Sequence, residues 1–324
     1  MKGTKTLAGM LALFLAVSLT ACDRPASQET DTSAPAGLAV EAPVQENTEV
    51  TVTADEDGLL TLEEIPEEYL ESSGQPGQVV RINYDSNTYD EENRPMDKYT
   101  YVYLPYGYDA SDEDTRYDIF YLMHGWTGDA ELYLGGENGD RPLKRIFDHL
   151  IANGDMKPMI IAAPQLGDWG ETSVDQTIAL TRYLLNAYNI DTDQVYANGY
   201  SGGGETMSLV LEKAPELFTA YLHCSSKWDG DYAPVVENRL PVYLAIGESD
   251  EYYSSEPTRE AYEALRNLYL EQGLSEAEID RLLVLDIKDS SYFTERGISS
   301  QHGGGAQFAF DEEIMGWLFE QTKG

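Results

Sequence analysis

From about residue 77 onward, short apolar runs alternate with segments whose apolar residues recur every three to four positions. The runs at 117–123 and 159–163 have the composition of strands covered on both faces, the second stopped by Pro164. Further strands are predicted over 79–84, 99–104 (ended by Pro105), 195–198, 220–224, 242–246 and 283–287. Helical spacing is predicted over 143–152, 177–188, 205–213, 258–272 and 311–321; in the second of these it is carried by Ile178, Leu180, Tyr183, Leu184 and Ala187. A chain that keeps switching between these two periods places each helix against the sheet that its neighbouring strands build. The expected class is therefore α/β, with a mostly parallel central sheet and helices on both faces. In such a sheet the ligand crevice lies beyond the carboxyl ends of the strands.

The N-terminal part reads differently. Lys2 and Lys5 precede an apolar run over 7–19, which is shorter than the roughly 20 residues that span hydrocarbon and suits the core of a signal peptide. Leu19-Thr20-Ala21-Cys22 closes that run and resembles the bacterial lipobox. The resemblance implies a signal peptide over 1–21, lipidation of Cys22, and anchorage on the extracytoplasmic face of a bacterial cell envelope. Residues 22–58, rich in Ala, Pro, Thr and acidic residues, are expected to form a disordered tether, 59–76 an arm or linker, and 77–324 one folded domain. With Cys22 lipidated, Cys224 is the one free thiol and no intrachain disulfide is expected. The balance of 58 Asp+Glu against 21 Lys+Arg, net charge −37, argues against nucleic acid and anionic lipid as partners, leaving Cys22 as the membrane contact. Oligomeric state is not legible.

One junction carries chemistry. Gly199-Tyr200-Ser201-Gly202-Gly203 lies between the predicted strand 195–198 and the helix that starts near Gly204, where small residues let the chain turn sharply and expose Ser201 at a helix N-terminus. A serine nucleophile needs a base, and the chain has four His. His149 falls within a helix, His124 sits in a loop better suited to holding an oxyanion site, and His223 lies inside a strand. His302, in the glycine-rich stretch Ser300-Gln301-His302-Gly303-Gly304-Gly305, is the best candidate. Asp250, at the carboxyl end of the strand 242–246, is the expected carboxylate partner, with Glu248 and Glu251 as competitors and Asp289 behind them. Two backbone N–H groups are expected to stabilise an oxyanion: that of Gly202, at the helix N-terminus, and that of Trp126, in the loop after His124-Gly125. Four His and one free Cys without zinc spacing predict no metal and no organic cofactor.

The order Ser, acid, His is that of α/β-hydrolases. Together with Tyr103-Leu104-Pro105-Tyr106-Gly107-Tyr108, Tyr121-Leu122-Met123-His124-Gly125 and Gly247-Glu248-Ser249-Asp250, it makes residues 78–321 similar to the esterase branch of the α/β-hydrolase fold. That branch includes feruloyl and acetyl-xylan-type esterases and is related to the catalytic domain of prolyl oligopeptidases. Two departures stand out: three glycines follow Ser201 where Met-Gly-Gly is common, and His302 precedes Gly-Gly-Gly rather than an aromatic residue. The resemblance implies a serine carboxylesterase whose substrates are small esters or esters borne on plant polysaccharide. Trp126, Tyr200 and Trp228 are expected to line the substrate cleft, with Trp169 and Tyr232 as further candidates. The connection between Ser226 and Leu240 leaves no room for a large lid, and the roughly 120 residues before His124 leave none for a propeller. A serine peptidase for short peptides and a non-catalytic surface binding module are the alternatives.

Overall fold

The computed structural model describes residues 66–84, 98–112, 114–126, 128–136 and 139–323. The expected signal peptide, lipidated Cys22, the tether and the beginning of the arm lie outside the described residues. Eight strands form one sheet: β1 (Gln78–Tyr84), β2 (Lys98–Leu104), β3 (Tyr117–Met123), β4 (Met159–Pro164), β5 (Ile190–Tyr200), β6 (Ala220–Cys224), β7 (Val242–Gly247) and β8 (Leu283–Lys288). Their spatial order is β1-β2-β4-β3-β5-β6-β7-β8, with β2 antiparallel to both its neighbours and every pairing from β4 to β8 parallel.

The principal helices are α1 (Pro142–Asn153), α2 (Glu171–Ala187), α3 (Gly202–Lys213), α4 (Glu256–Glu271), α5 (Glu276–Leu282), α6 (Gln301–Gly304) and α7 (Glu312–Phe319). Strand side chains alternate between two cores, as the pleat requires. Ile119, Tyr121 and Met123 of β3 join one core with Val174 and Leu184 of α2, Met207 and Leu211 of α3, and Leu265 of α4. Phe120 and Leu122 join the other, with Leu143 and Phe147 of α1 and Ile314 and Leu318 of α7. Burial on both faces is why β3 and β4 read as nearly unbroken apolar runs.

Differences from the predicted elements have local causes. Helix α2 begins six residues before the predicted 177, because its polar first turn is held by its own side chains: Asp168 Oδ1 accepts the Ser173 N–H at 2.9 Å, and Ser173 Oγ accepts the N–H groups of Gly167 and Asp168 at 2.9 and 3.0 Å. Helix α5, which apolar periodicity did not mark, starts with a capping box between Ser275 and Glu278. His302 stands on α6 and not in an open loop, with Ser300 Oγ accepting the Gly303 N–H at 3.0 Å as the N-cap.

Residues 66–76 pack on α1. The Tyr69 ring stacks on His149 at 4.8 Å, Asn153 donates to the Tyr69 hydroxyl at 2.7 Å, and the Gly77 N–H donates to Asp148 Oδ1 at 2.7 Å. Between Ser226 and Leu240 the chain forms only the short helix Ala233–Glu237, so this connection supplies no large lid.

Candidate active site

Strand β5 ends at Tyr200 and α3 begins at Gly202, leaving Ser201 to make the turn alone at φ +53°, a conformation L-residues adopt only under constraint. The two following glycines permit the approach. A Cβ on Gly203 would lie 2.6 Å from the Met123 carbonyl oxygen, and one on Gly202 would lie 2.4 Å from the Trp169 ring. The first neighbour is backbone and cannot yield. The elbow thus abuts the end of β3, and the loop after it presses on the nucleophile, since a Cβ on Gly125 would lie 3.0 Å from Ser201 Cβ.

Ser201 Oγ is 3.1 Å from His302 Nε2, and His302 Nδ1 is 3.0 Å from Asp250 Oδ2. The second carboxylate oxygen of Asp250 accepts the backbone N–H groups of Tyr252 and Tyr253 at 3.0 and 2.8 Å. Burial alone would raise the Asp250 carboxyl, but hydrogen bonds from His302 and from the Tyr253 and Tyr252 backbone outweigh it and hold it below the usual carboxylate range.

The competitors of Asp250 point elsewhere. Glu251 reaches the start of α6, where it accepts the N–H groups of Gln301 and His302 at 2.9 and 2.8 Å and the Ser300 hydroxyl at 3.1 Å. Gln301 Oε1 in turn accepts the Ser249 N–H at 2.7 Å. These bonds join the loop that carries Asp250, the expected acid, to the start of α6, which carries His302. Glu248 is exposed, and Asp289 caps the short helix Ser290–Thr294. Burial works to raise the Glu251 carboxyl as well, and the same backbone N–H groups hold it low. A carboxyl depressed in the folded state contributes stability above its unfolded pKa, about 4, and the contribution is lost as pH falls through the lower folded value. Thermal unfolding followed from pH 6 to pH 3 should therefore show a falling midpoint whose acid limb is flatter in Glu251→Gln; parallel limbs would remove Glu251 from this role.

The imidazole of His302 is boxed by tyrosines that sequence reading had not assembled. The rings of Tyr252, Tyr253 and Tyr200 lie 5.1, 5.5 and 5.6 Å from it, and the Tyr200 hydroxyl donates to the His302 carbonyl at 3.1 Å. Tyr200 thus walls the His302 ring, with its hydroxyl already engaged. The adjacent Tyr252-Tyr253 pair, directly after the acid in a chain with 23 Tyr, is the signal from which this could have been found.

His124 is buried beside the nucleophile. Its Nδ1 is 2.8 Å from the Gly125 carbonyl oxygen, and its Nε2 accepts the Leu166 N–H at 3.2 Å, which requires the neutral ring with the proton on Nδ1. Burial lowers its pKa in keeping with that form. Trp126 is 77% exposed, and Trp169 packs edge-on against His124 at 5.9 Å.

Trp228 corrects the sequence reading. It is only 9% exposed and contacts Tyr221, His223 and Tyr232, with ring centroids 5.5–6.0 Å apart, as part of the core. Trp228→Ala is expected to cost about 3–5 kcal/mol in urea unfolding, whereas Trp126→Ala changes stability by less than about 0.5 kcal/mol; equal effects would contradict the placement. His223 is likewise buried, its pKa lowered by desolvation to about 4, and its Nδ1 faces the Tyr221 hydroxyl at 2.8 Å, away from the reacting groups. Among the described residues, no cluster of three or more His, Cys, Asp or Glu could hold a metal ion.

An eight-stranded, mostly parallel sheet with a strained serine at the strand-to-helix turn defines the class: an α/β-hydrolase fold. Residues 165–268 match the model of the prolyl oligopeptidase family. The chain is 39% identical over 105 residues to endo-1,4-beta-xylanase Y of Acetivibrio thermocellus, covering 31% of this chain and 8% of that protein. It is 26% identical over 187 residues to an endo-1,4-beta-xylanase/feruloyl esterase of Xylanibacter ruminicola, covering 51% and 24%. The chain thus spans less than a quarter of the length of either relative. Among solved structures, the feruloyl esterase module from Clostridium thermocellum complexed with sinapinate aligns with a TM-score of 0.58 at 21% identity, covering 79% of this chain and 93% of the module. A thermostable esterase aligns at 0.57 and 20% identity, covering 75% and 63%. At these identities the likeness is one of fold.

Proposed function

We propose that the protein is a serine carboxylesterase that hydrolyses small or polysaccharide-borne esters through an acyl-enzyme. The observation that carries the reading is the hydrogen-bonded line from Ser201 through His302 to Asp250, at 3.1 and 3.0 Å. In it, Ser201 Oγ attacks the ester carbonyl carbon while His302 Nε2 takes its proton. Asp250 holds the proton of Nδ1 in place and stabilises the imidazolium. The imidazolium then protonates the departing alkoxide, leaving Ser201 acylated. Water, deprotonated by His302, attacks the acyl carbon, and the proton returns to Ser201 as the acid leaves.

The oxyanion of each tetrahedral intermediate is assigned to the N–H groups of Gly202 and Trp126. Gly202 is the first residue of α3, where N–H groups have no intrahelical acceptor and the helix dipole favours negative charge. Trp126 is assigned from the peptide geometry. The Gly125 carbonyl faces His124 Nδ1, and in a trans peptide the N–H of the following residue points the opposite way, away from His124. Trp126, exposed at this rim, is assigned to the wall of the substrate cleft.

The names that include feruloyl esterase support the ester reading, and the one relative whose name combines xylanase with feruloyl esterase supports acylated plant polysaccharide as substrate. The match to the prolyl oligopeptidase family favours, as a second reading, a peptidase for short peptides. Residues 1–22 add the proposal that the domain is carried on a lipid anchor at Cys22. Hydrolysis of p-nitrophenyl acetate, methyl ferulate and a peptide p-nitroanilide by residues 23–324 separates the readings. Turnover of the esters alone is expected; turnover of the anilide alone would overturn the esterase in favour of the peptidase.

A further inference from the structure

Ser201 and the Asp250 that holds His302 stand on different elements, so the way Ser201 meets His302 depends on how α3 sits against the acid loop. A direct side-chain link joins them. Glu205 occupies the first turn of α3, its N–H donating to the Ser201 carbonyl at 3.2 Å, so its side chain rises on the same face one turn from the nucleophile. Its carboxylate Oε1 accepts the Tyr253 hydroxyl at 2.6 Å. Tyr253 belongs to the acid loop: its N–H donates to Asp250 Oδ1 at 2.8 Å, and its ring meets the His302 imidazole nearly edge-on, at 5.5 Å and 61°.

Glu205 is itself held, with Lys227 Nζ at 3.7 Å from Oε1 and Lys227 bonded to Asp229 at 2.9 Å. Burial first, and then the bond to Glu205, push the Tyr253 phenol well above its ordinary pKa, so it remains a protonated donor. Its one proton is committed to Glu205.

The geometry points to Glu205 and Tyr253 as a positioning pair: a strut between the nucleophile's helix and the acid loop that sets the spacing and tilt at which Ser201 meets His302. This rests on the serine-esterase reading above. It adds two residues that touch neither the scissile bond nor the oxyanion and act through Ser201 and His302. The pair forms no part of the Ser-His-Asp line, and its loss leaves the nucleophile, base and acid chemically intact but less well aligned.

Four proteins test it: the parent, Tyr253→Phe, Glu205→Ala and the double variant, with Ser201→Ala as control. Steady-state turnover of p-nitrophenyl acetate and the rate of covalent labelling by a fluorophosphonate are measured on each, together with its melting temperature. Tyr253→Phe keeps the ring and deletes one hydrogen bond, so kcat should fall about tenfold with KM within about twofold. The labelling rate should fall in step, and the melting temperature should stay near that of the parent. Glu205→Ala should lose about as much, and the double variant no more than either, because both break the same strut. Unchanged kcat in Tyr253→Phe, or losses that multiply in the double variant, would overturn the strut while an inactive Ser201→Ala left the esterase standing. An active Ser201→Ala would overturn both. Should one single variant fail to fold, the other reads the same bond.

Discussion

Ser201→Ala is expected to lower kcat for p-nitrophenyl acetate by roughly 10⁵-fold, to abolish the initial burst of nitrophenol, and to leave thermal stability within a few degrees of the parent. The oxygen removed is the one that faces His302 Nε2 at 3.1 Å, and without it no acyl-enzyme can form. Stability is spared for a structural reason. The positive φ of Ser201 is imposed by the end of β5 and the start of α3, which alanine leaves in place, and the backbone bonds of the elbow remain: the Ser201 N–H to the Cys224 carbonyl at 3.1 Å and Ser226 Oγ to the Ser201 carbonyl at 2.7 Å. Residual turnover above about a hundredth of the parent value would assign the nucleophile elsewhere.

Asp250→Asn should reduce kcat by about 10⁴-fold with KM within a few-fold, by a different route. The asparagine amide keeps one oxygen, and the two N–H groups of Tyr252 and Tyr253 that now hold Oδ1 would retain it. That leaves the amide NH₂ facing His302 Nδ1, so Nδ1 must become the acceptor and the proton moves to Nε2. A protonated Nε2 cannot take the Ser201 proton, although every heavy atom stays where it was. The variant should therefore fold and still bind substrate. A kcat loss smaller than tenfold, or one matched by a collapse in melting temperature, would show that Asp250 acts as a fold element and not on the imidazole.

The strand and helix segments around Ser201 could be read from the chain because periodicity is a local property. β3 and β6 coincide with their predicted ranges, and the sharp turn after β5 follows from the small residues flanking Ser201. The start of α2 could not be read in the same way, since polar bonds between Asp168, Ser173 and the backbone around the first turn substitute for apolar spacing there. Asp250 was the expected acid, with its neighbours Glu248 and Glu251 left as competitors. Asp250 and Glu251 are adjacent, yet one bonds the imidazole and the other the backbone beneath it, a division set by successive side chains leaving the loop in different directions.

Trp228 illustrates the same boundary from the other side. A tryptophan in a short connection near the nucleophile suits a cleft or a core equally well, and only the inward turn of that connection onto Tyr221 and His223 decides for the core. Trp126, in a similar setting, stays exposed. By itself, the sequence determined the alternating architecture, the serine elbow and the order in which serine, acid and histidine occur, because these depend on residue type and spacing along the chain. The tertiary structure alone decided which carboxylate meets His302, which tyrosines surround it, which tryptophan is buried, and that Glu205 reaches across to Tyr253. Apart from those of Trp228, these contacts join residues tens of positions apart, and their directions are set by how α3, α6 and the loop after β7 pack together.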